Sequence, residues 1–303
     1  MLIDFTSINE NIKIKSNVVQ LYIKREDQIH PYISGNKYRK LKYNIIEAKQ
    51  TGCDTLLTFG GAFSNHIASV AAAGNLFGLK TIAVIRGEEL ESKIHQNPTL
   101  HFCKSQGMNF NFVSRELYRN KNDIEYLKQL KAIYGNVYII PEGGTNFLGV
   151  KGCEEILNNN DIDFDYICCP VGTGGTISGI IQSSYSHQFI LGFSSLKGNF
   201  LTKDIRKFVQ KKNWAITSEY HFGGYARVKE PLIQFINAFK REQNILLDPI
   251  YTGKMMYGIF DLIEKGYFKT NSKILAIHTG GLQSIEGMNN ILRRKNTPII
   301  EIP

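Results

Sequence analysis

Six short apolar runs, most of them ending in glycine, alternate with longer segments of helical period, and this alternation constrains the chain more than any other feature. The runs are TLLTFGG (55–61), KTIAVIRG (80–87), NVYIIPEGG (136–144), YICCPVGTGG (166–175), FILGFSS (189–195) and ILAIHTGG (274–281). Strands this uniformly apolar and β-branched are buried on both faces, and helices between them make the sheet parallel. The expected class is α/β. Ten of the 27 glycines fall in five pairs, at 60-61, 143-144, 174-175, 223-224 and 280-281. Four of the pairs follow an expected strand, which is where open α/β sheets keep their ligand crevice. A chain of 303 residues is one large domain or two ordinary ones. It shows no repeat and no long linker, so a second domain would be an insertion in the first.

Several function classes fall away early. The five cysteines include an adjacent pair and show no CxxC or Cys/His spacing, which argues against a disulfide framework and against a metal site. The start, MLIDFTSINENIKIK, carries acidic residues early and lacks the apolar stretch of a secretory leader. No apolar run approaches 18 residues. The expectation is a cytoplasmic protein with no membrane partner. The formal charge of +9 leaves a nucleic-acid binder open, but that class also needs a motif or a basic face. The basic run TKDIRKFVQKKN (202–213) holds Asp204, Phe208 and Val209 and reads as a solvated helix face, and Arg293-Arg294-Lys295 forms no recognised motif.

Three local patterns carry chemistry. In YICCPVGTGGTISGII a strand enters Gly172-Thr173-Gly174-Gly175-Thr176 and a helix follows. Free N–H groups and the helix dipole there suit a phosphate, although a tight strand-to-helix turn is the plainer alternative. A Walker A loop would need a lysine where Ile180 stands, and a dinucleotide fingerprint a small residue where Ile177 stands. In SGNKYRKLKYNIIEAKQTG, Ser34 and Asn36 are cap-type residues and Gly52 closes the helix. Lys37 shares its face with Leu41, Asn44, Ile45 and Ala48, while Arg39, Lys42 and Lys49 point elsewhere. Lys37 is either a stem that covers the core or an amine made nucleophilic in a dry pocket. Lys40, one turn on, is placed to pair with an anion. The third pattern, GGAFSNH, opens a helix at Ser64-Asn65-His66. It suits a carboxylate, or is a Ser/Asn cap followed by a polar histidine.

Together and in order, these pieces resemble the fold type II enzymes that use pyridoxal 5'-phosphate, and within them the 1-aminocyclopropane-1-carboxylate deaminase / D-cysteine desulfhydrase family. The match is collinear from about Leu21 to Gly281. KREDQIHPYISGNKYRKL is similar to the segment around the Schiff-base lysine, which places that role on Lys37. GGAFSNH resembles the substrate-carboxylate turn and PVGTGGT the phosphate cradle. FGGYARV and LDPIYTGKMMYGI resemble the segments that supply two active-site tyrosines, here Tyr225 and Tyr251, and IHTGGLQ the strand end that faces the pyridine nitrogen, here through Thr279.

The resemblance implies a tryptophan synthase β-subunit-like fold of two parallel-sheet α/β domains with the cofactor in the cleft. The larger would comprise residues 1–39 and 149–303 and the smaller, inserted one residues 40–148, in a homodimer. It also implies a reaction on a small amino acid. Lys37 would hold the cofactor and serve as base. Ser64 with its helix N-terminus, and His66, would bind the substrate. Asn65 would meet the cofactor's phenolic oxygen as well as the substrate, and Tyr225 and Tyr251 would flank the substrate. Residues 171–176 with Lys40 would hold the phosphate. Two departures select within the family. The deaminase pattern has Glu after the second tyrosine and Leu between His and Gly-Gly, whereas this chain has Thr252 and Thr279. A glutamate at the pyridine nitrogen would make a strong electron sink, suited to opening a cyclopropane; a threonine gives a weaker one, enough for β-elimination. D-Cysteine desulfhydration is the first expectation. The rivals are the deaminase itself, D-serine dehydration and, from another class, a non-catalytic phosphate- or nucleic-acid-binding protein.

Overall fold

The computed structural model describes residues 6–16 and 18–302; the first five residues of the segment weighed above for a leader lie outside them. In chain order the elements are β1 (Asn9–Ile12), β2 (Gln20–Lys24), α1 (Asn36–Gln50), β3 (Thr55–Gly60), α2 (Asn65–Phe77), β4 (Lys80–Arg86), α3 (Pro98–Ser105), β5 (Asn109–Val113), α4 (Ile124–Tyr134) and β6 (Val137–Ile140). There follow α5 (Phe147–Glu154), β7 (Tyr166–Val171), α6 (Gly175–Ser183), β8 (Phe189–Ser194), α7 (Leu201–Arg206), β9 (Trp214–Thr217), α8 (Glu230–Gln243), α9 (Thr252–Glu264), β10 (Lys273–Ile277) and α10 (Ser284–Arg294). All six apolar runs contain a strand.

Among the described residues the strands form two sheets. One has the order β1-β2-β10-β7-β8-β9 and the other β5-β4-β3-β6. Every pairing is parallel except β1 with β2. The antiparallel edge departs from an all-parallel expectation, and its cause is local: only Lys13 to Val19 separate β1 from β2, too few for a parallel crossover.

Helices cover both faces of each sheet, as parallel strands require. On the larger sheet, Leu21, Ile23, Cys168, Leu191, Phe193 and Ala276 pack one way onto Leu232 and Ile236 of α8 and Met255 and Ile259 of α9. Their neighbours Ile167, Cys169, Val171, Ile190, Leu275 and Ile277 pack the other way onto Ile177, Ile180 and Ile181 of α6 and Ile205 of α7. The smaller sheet repeats the plan. Leu56, Ala83 and Ile85 meet Leu41 and Ile45 of α1 and Val70 and Ala71 of α2, and Leu57, Phe59, Ile82 and Val84 meet Tyr126 and Leu130 of α4.

Two local expectations are corrected. The basic run 202–213 is helical only to Arg206. Val209 is buried beyond it, and Lys211 Nζ donates to the carbonyls of Gln182 and Ser184 at 2.8 and 2.5 Å, closing the end of α6. Neither Ser34 nor Asn36 caps α1. The N-cap is Gly35 at φ 61°, with no side-chain cap. A Cβ at that position would lie 2.0 Å from the Thr279 carbonyl oxygen, so only glycine lets α1 start against the end of β10. Among the described residues no helix is long and apolar enough to cross a membrane.

Candidate active site

The C-terminal ends of β3, β6, β7 and β10 open into one cavity of about 560 Å³ between the two sheets. All four strand-following glycine pairs stand at these ends, and Gly61, Gly143, Gly174, Gly280 and Gly281 line the cavity. Close approach is what the glycines permit: a Cβ at Gly281 would sit 2.5 Å from Asn65 Nδ2. Lys37, Lys40, Ser64, Asn65, His66, Gly172, Thr173, Gly174, Thr176, Tyr225, Tyr251 and Thr279 also line it, so the residues singled out from sequence converge. Gly175 begins α6 just behind this wall.

Lys37 and Lys40 project from the first turns of α1. The Lys37 amine donates to Asn36 Oδ1 at 3.0 Å. Burial, with the nearby Lys40 charge, pulls its pKa from 10.5 down to about 7, which makes it a nucleophile at physiological pH. Lys37 is half-buried and its side chain lines the cavity, where the pocket reading expects it. Lys40 donates to the Gly143 carbonyl (2.9 Å) and to Thr145 Oγ1 (3.2 Å). Its Nζ lies 3.0 Å from where a Cβ of Gly175 would be, so the ammonium faces the α6 N-terminus. Thr173 and Thr145 hydroxyls meet at 2.5 Å, and Asn36 Nδ2 donates to Thr176 Oγ1 at 2.7 Å. First-turn amides, the threonine hydroxyls and the buried Lys40 amine together make a cradle whose chemistry suits an anion.

Opposite lies the α2 N-terminus, where Ser64 accepts from the Ile67 amide as N-cap. His66 is buried. Its Nε2 meets Thr58 Oγ1 at 2.8 Å, while that hydroxyl lies 2.9 Å from the Ile140 carbonyl. A carbonyl can only accept, so Thr58 donates to it and His66 must donate from Nε2, leaving Nδ1 bare. Burial and the charges of Lys37 and Lys40 hold the ring's pKa well below its ordinary value, so the imidazole is neutral. The cap reading of this turn holds through Ser64, and Ser64, Asn65 and His66 all line the cavity.

Tyr251 and Tyr225 stand edge to face, 6.2 Å between ring centres. Desolvation in the cleft foremost raises both phenols, with Tyr225, Asp248 and Glu142 adding to it at Tyr251 and Glu142 and Asp248 at Tyr225, whose residue surface is nonetheless 42% exposed. Both are neutral donors at physiological pH. Asp248, which sequence reasoning passed over, sets Tyr251 in place: its carboxylate accepts from the amides of Ile250, Tyr251 and Thr252, each at 2.8 Å, and from Thr252 Oγ1 at 2.6 Å. The available signal was an Asp four residues before a helix-opening Thr. Thr252 is fully buried and spent on Asp248, behind the cavity wall. Of the two threonines that departed from the deaminase pattern, Thr279 lines the cavity and Thr252 does not.

The cavity also tests whether pyridoxal phosphate fits. Asn65 Oδ1, His66 Nδ1 and Ser284 Oγ are buried without hydrogen-bond partners, and all three residues line the cavity. Buried polar atoms want partners, and a polar ring seated between Lys37 and the cradle would supply them. The fold and this cleft define a pyridoxal phosphate-dependent enzyme of fold type II. Residues 6–190 match the family described as "Pyridoxal-phosphate dependent enzyme". The chain belongs to that family, and within it to the 1-aminocyclopropane-1-carboxylate deaminase / D-cysteine desulfhydrase group.

Its relatives include a putative 1-aminocyclopropane-1-carboxylate deaminase of Pyrococcus horikoshii, 31% identical over 86% of this chain and 84% of that protein. A bifunctional, mitochondrial D-cysteine desulfhydrase/1-aminocyclopropane-1-carboxylate deaminase of Arabidopsis thaliana is 31% identical over 88% and 73%. A crystal structure of a homologue of the deaminase superposes with TM-score 0.81 at 28% identity, covering 97% of this chain and 95% of that one.

Proposed function

We propose that the protein eliminates thiol from D-cysteine, giving pyruvate, hydrogen sulfide and ammonia, as a homodimer in the cytoplasm. In this proposal residues 1–39 and 149–303 form the larger domain, residues 40–148 the smaller, and the substrate enters between them. Pyridoxal phosphate held here would supply the electron sink that acidifies the substrate's Cα proton. Residues 171–176 and Lys40 hold the phosphate through the α6 amides, the threonine hydroxyls and the ammonium. Asn65 and Thr279 orient the ring by hydrogen bonds. Ser64 and the α2 N-terminus bind the substrate carboxylate. Lys37, whose pKa is drawn down to about 7 so that much of it is unprotonated at physiological pH, takes the Cα proton. The neutral Tyr225 and Tyr251 flank the leaving sulfur, and Tyr251 donates toward it. His66 presents an unprotonated Nδ1 and accepts from the bound substrate.

The observation that carries this reading is Thr279 on the cavity wall: a hydroxyl, unlike a carboxylate, would leave a pyridine nitrogen beside it largely unprotonated. A weaker electron sink suffices when a thiolate departs and relieves the charge at Cα. Incubation with D-cysteine, L-cysteine, D-serine and 1-aminocyclopropane-1-carboxylate, with assays for pyruvate, 2-oxobutyrate and sulfide, tests it. Pyruvate with sulfide from D-cysteine is expected; 2-oxobutyrate from the cyclopropane at a comparable rate overturns the choice.

A further inference from the structure

A second cavity of about 330 Å³ adjoins the first, lined by Arg86, Arg115, Tyr118, Arg119, Lys121 and Glu142, and Arg86 and Glu142 line both. Four cations thus face one acid. That acid is engaged already: Tyr118 donates to Glu142 Oε1 at 2.7 Å and Lys121 stands 3.6 Å from Oε2. Arg115 is paired with Glu89.

Arg86 is different. It ends β4 on the strand next to β3, and its guanidinium lies over the Tyr118 ring, 5.8 Å from the centroid. One of its terminal nitrogens is 3.7 Å from where a Cβ of Gly61 would be, three residues before Ser64. No carboxylate in the described residues is hydrogen-bonded or ion-paired to it. It is exposed to solvent while lining the cleft, so it stands at the cleft mouth with its donors free. The aromatic face below holds its plane, and a planar fork of donors matches a carboxylate, sulfonate or phosphate.

We propose that Arg86 and the adjoining basic cavity receive an anionic group at the far end of the substrate side chain, so that β-substituted alanines with an acidic leaving group are substrates. This rests on the elimination chemistry proposed above and names a substrate class for the same site. For S-carboxymethyl-D-cysteine the balance is simple. Lys37 takes the Cα proton, the Cβ–S bond breaks with its electron pair going to sulfur, and the thiolate regains a proton as thioglycolate. The released 2-aminoacrylate takes up one water and yields pyruvate and ammonia.

The test compares, on the cofactor-loaded enzyme, S-carboxymethyl-D-cysteine with its neutral isostere S-carbamoylmethyl-D-cysteine, and, for binding by calorimetry, the inert pair D-glutamate and D-glutamine. The acidic member should be preferred roughly tenfold in kcat/KM and in Kd, the value of one charge-assisted hydrogen bond. Arg86→Gln should abolish the preference and Arg86→Lys restore part of it. A merely structural role would shift both members alike. Equal handling of the two members, or a preference that survives Arg86→Gln, overturns the proposal. Turnover of D-cysteine in the same preparation separates this failure from failure of the elimination chemistry. If D-cysteine is inert, the calorimetric pair still decides whether Arg86 selects the anion.

Discussion

His66 Nε2 is held 2.8 Å from Thr58 Oγ1, and that hydroxyl is itself held by the Ile140 carbonyl at the end of β6. The relay fixes which ring nitrogen carries the proton and leaves the other without a hydrogen-bond partner. Thr58→Val keeps the shape of the side chain but strands a buried N–H and a buried C=O. Urea unfolding should show a loss of about 1–3 kcal/mol. Nitrogen-15 spectra of labelled histidine should show a single Nε2–H tautomer in the native protein and a mixture in the variant. A native ring that titrates near pH 6.5 would contradict the assignment.

The depressed pKa of Lys37 has two consequences of known sign. Its folded value is about 7 against 10.5 for the free side chain, so between these the unfolded chain binds more protons. The stability of the cofactor-free protein therefore rises with pH across that window, and the burden is full below pH 7. Lys37→Met should raise the melting temperature of the cofactor-free protein at pH 6.5 by roughly 2–6 °C, and the gain should fade as pH approaches 10.5. The rate at which pyridoxal phosphate adds to the native protein should be half-maximal near pH 7, because the neutral amine is the attacking form. Absorbance near 410–420 nm follows that addition, and Lys37→Met should abolish it.

Lys24 and Asp161 form a fully buried ion pair at 2.8 Å that ties β2 to the turn before β7. Removing one partner leaves an uncompensated charge, so Lys24→Met should cost about 3–5 kcal/mol in denaturant unfolding. Lys24→Met/Asp161→Leu should recover only part of that loss, because Asp161 also accepts from the Asn158 amide and from Asn9 Nδ2. Activity per folded molecule should be unchanged, since neither residue lines the cleft.

Much of this architecture is written locally. β3 and β7 are buried along nearly their whole length, so their unbroken apolar runs announce them, and the glycine pairs mark the cleft. What is not local stays hidden. The strands of both sheets are alike in composition, so nothing in a run such as KTIAVIR assigns it to the smaller sheet. The edge strands β1 (NENI) and β5 (NFNFV) are half-wetted and carry polar residues. Arg39 does point away from the Lys37 face, yet it is buried, because Glu26 receives two of its donors at 2.9 Å. Only the tertiary fold brings that acid to it. The proposed domain boundaries, subunit arrangement and residue roles rest on family resemblance and not on the periodicity of the chain.

Asp248 is the residue through which the late helix controls the cleft. It sits just before α9, fully buried, and its two oxygens accept from three successive amides and one hydroxyl. Tyr251 is the middle of those three residues and has φ −123° and ψ −74°, outside the helical range, so its ring direction depends on the carboxylate. Asp248→Ala bares the three amides that lead into α9, which should cost about 2 kcal/mol of stability. Asp248→Asn keeps one acceptor oxygen and should cost less. Both variants should bind pyridoxal phosphate with near-native affinity, since the cradle lies on α6. Turnover should fall more steeply than substrate affinity, because in the proposed mechanism Tyr251 acts on the leaving group and Ser64 holds the carboxylate. Steady-state kinetics beside a cofactor titration reads this split. A loss of cofactor affinity equal to the loss of turnover would show instead that Asp248 supports the whole cleft.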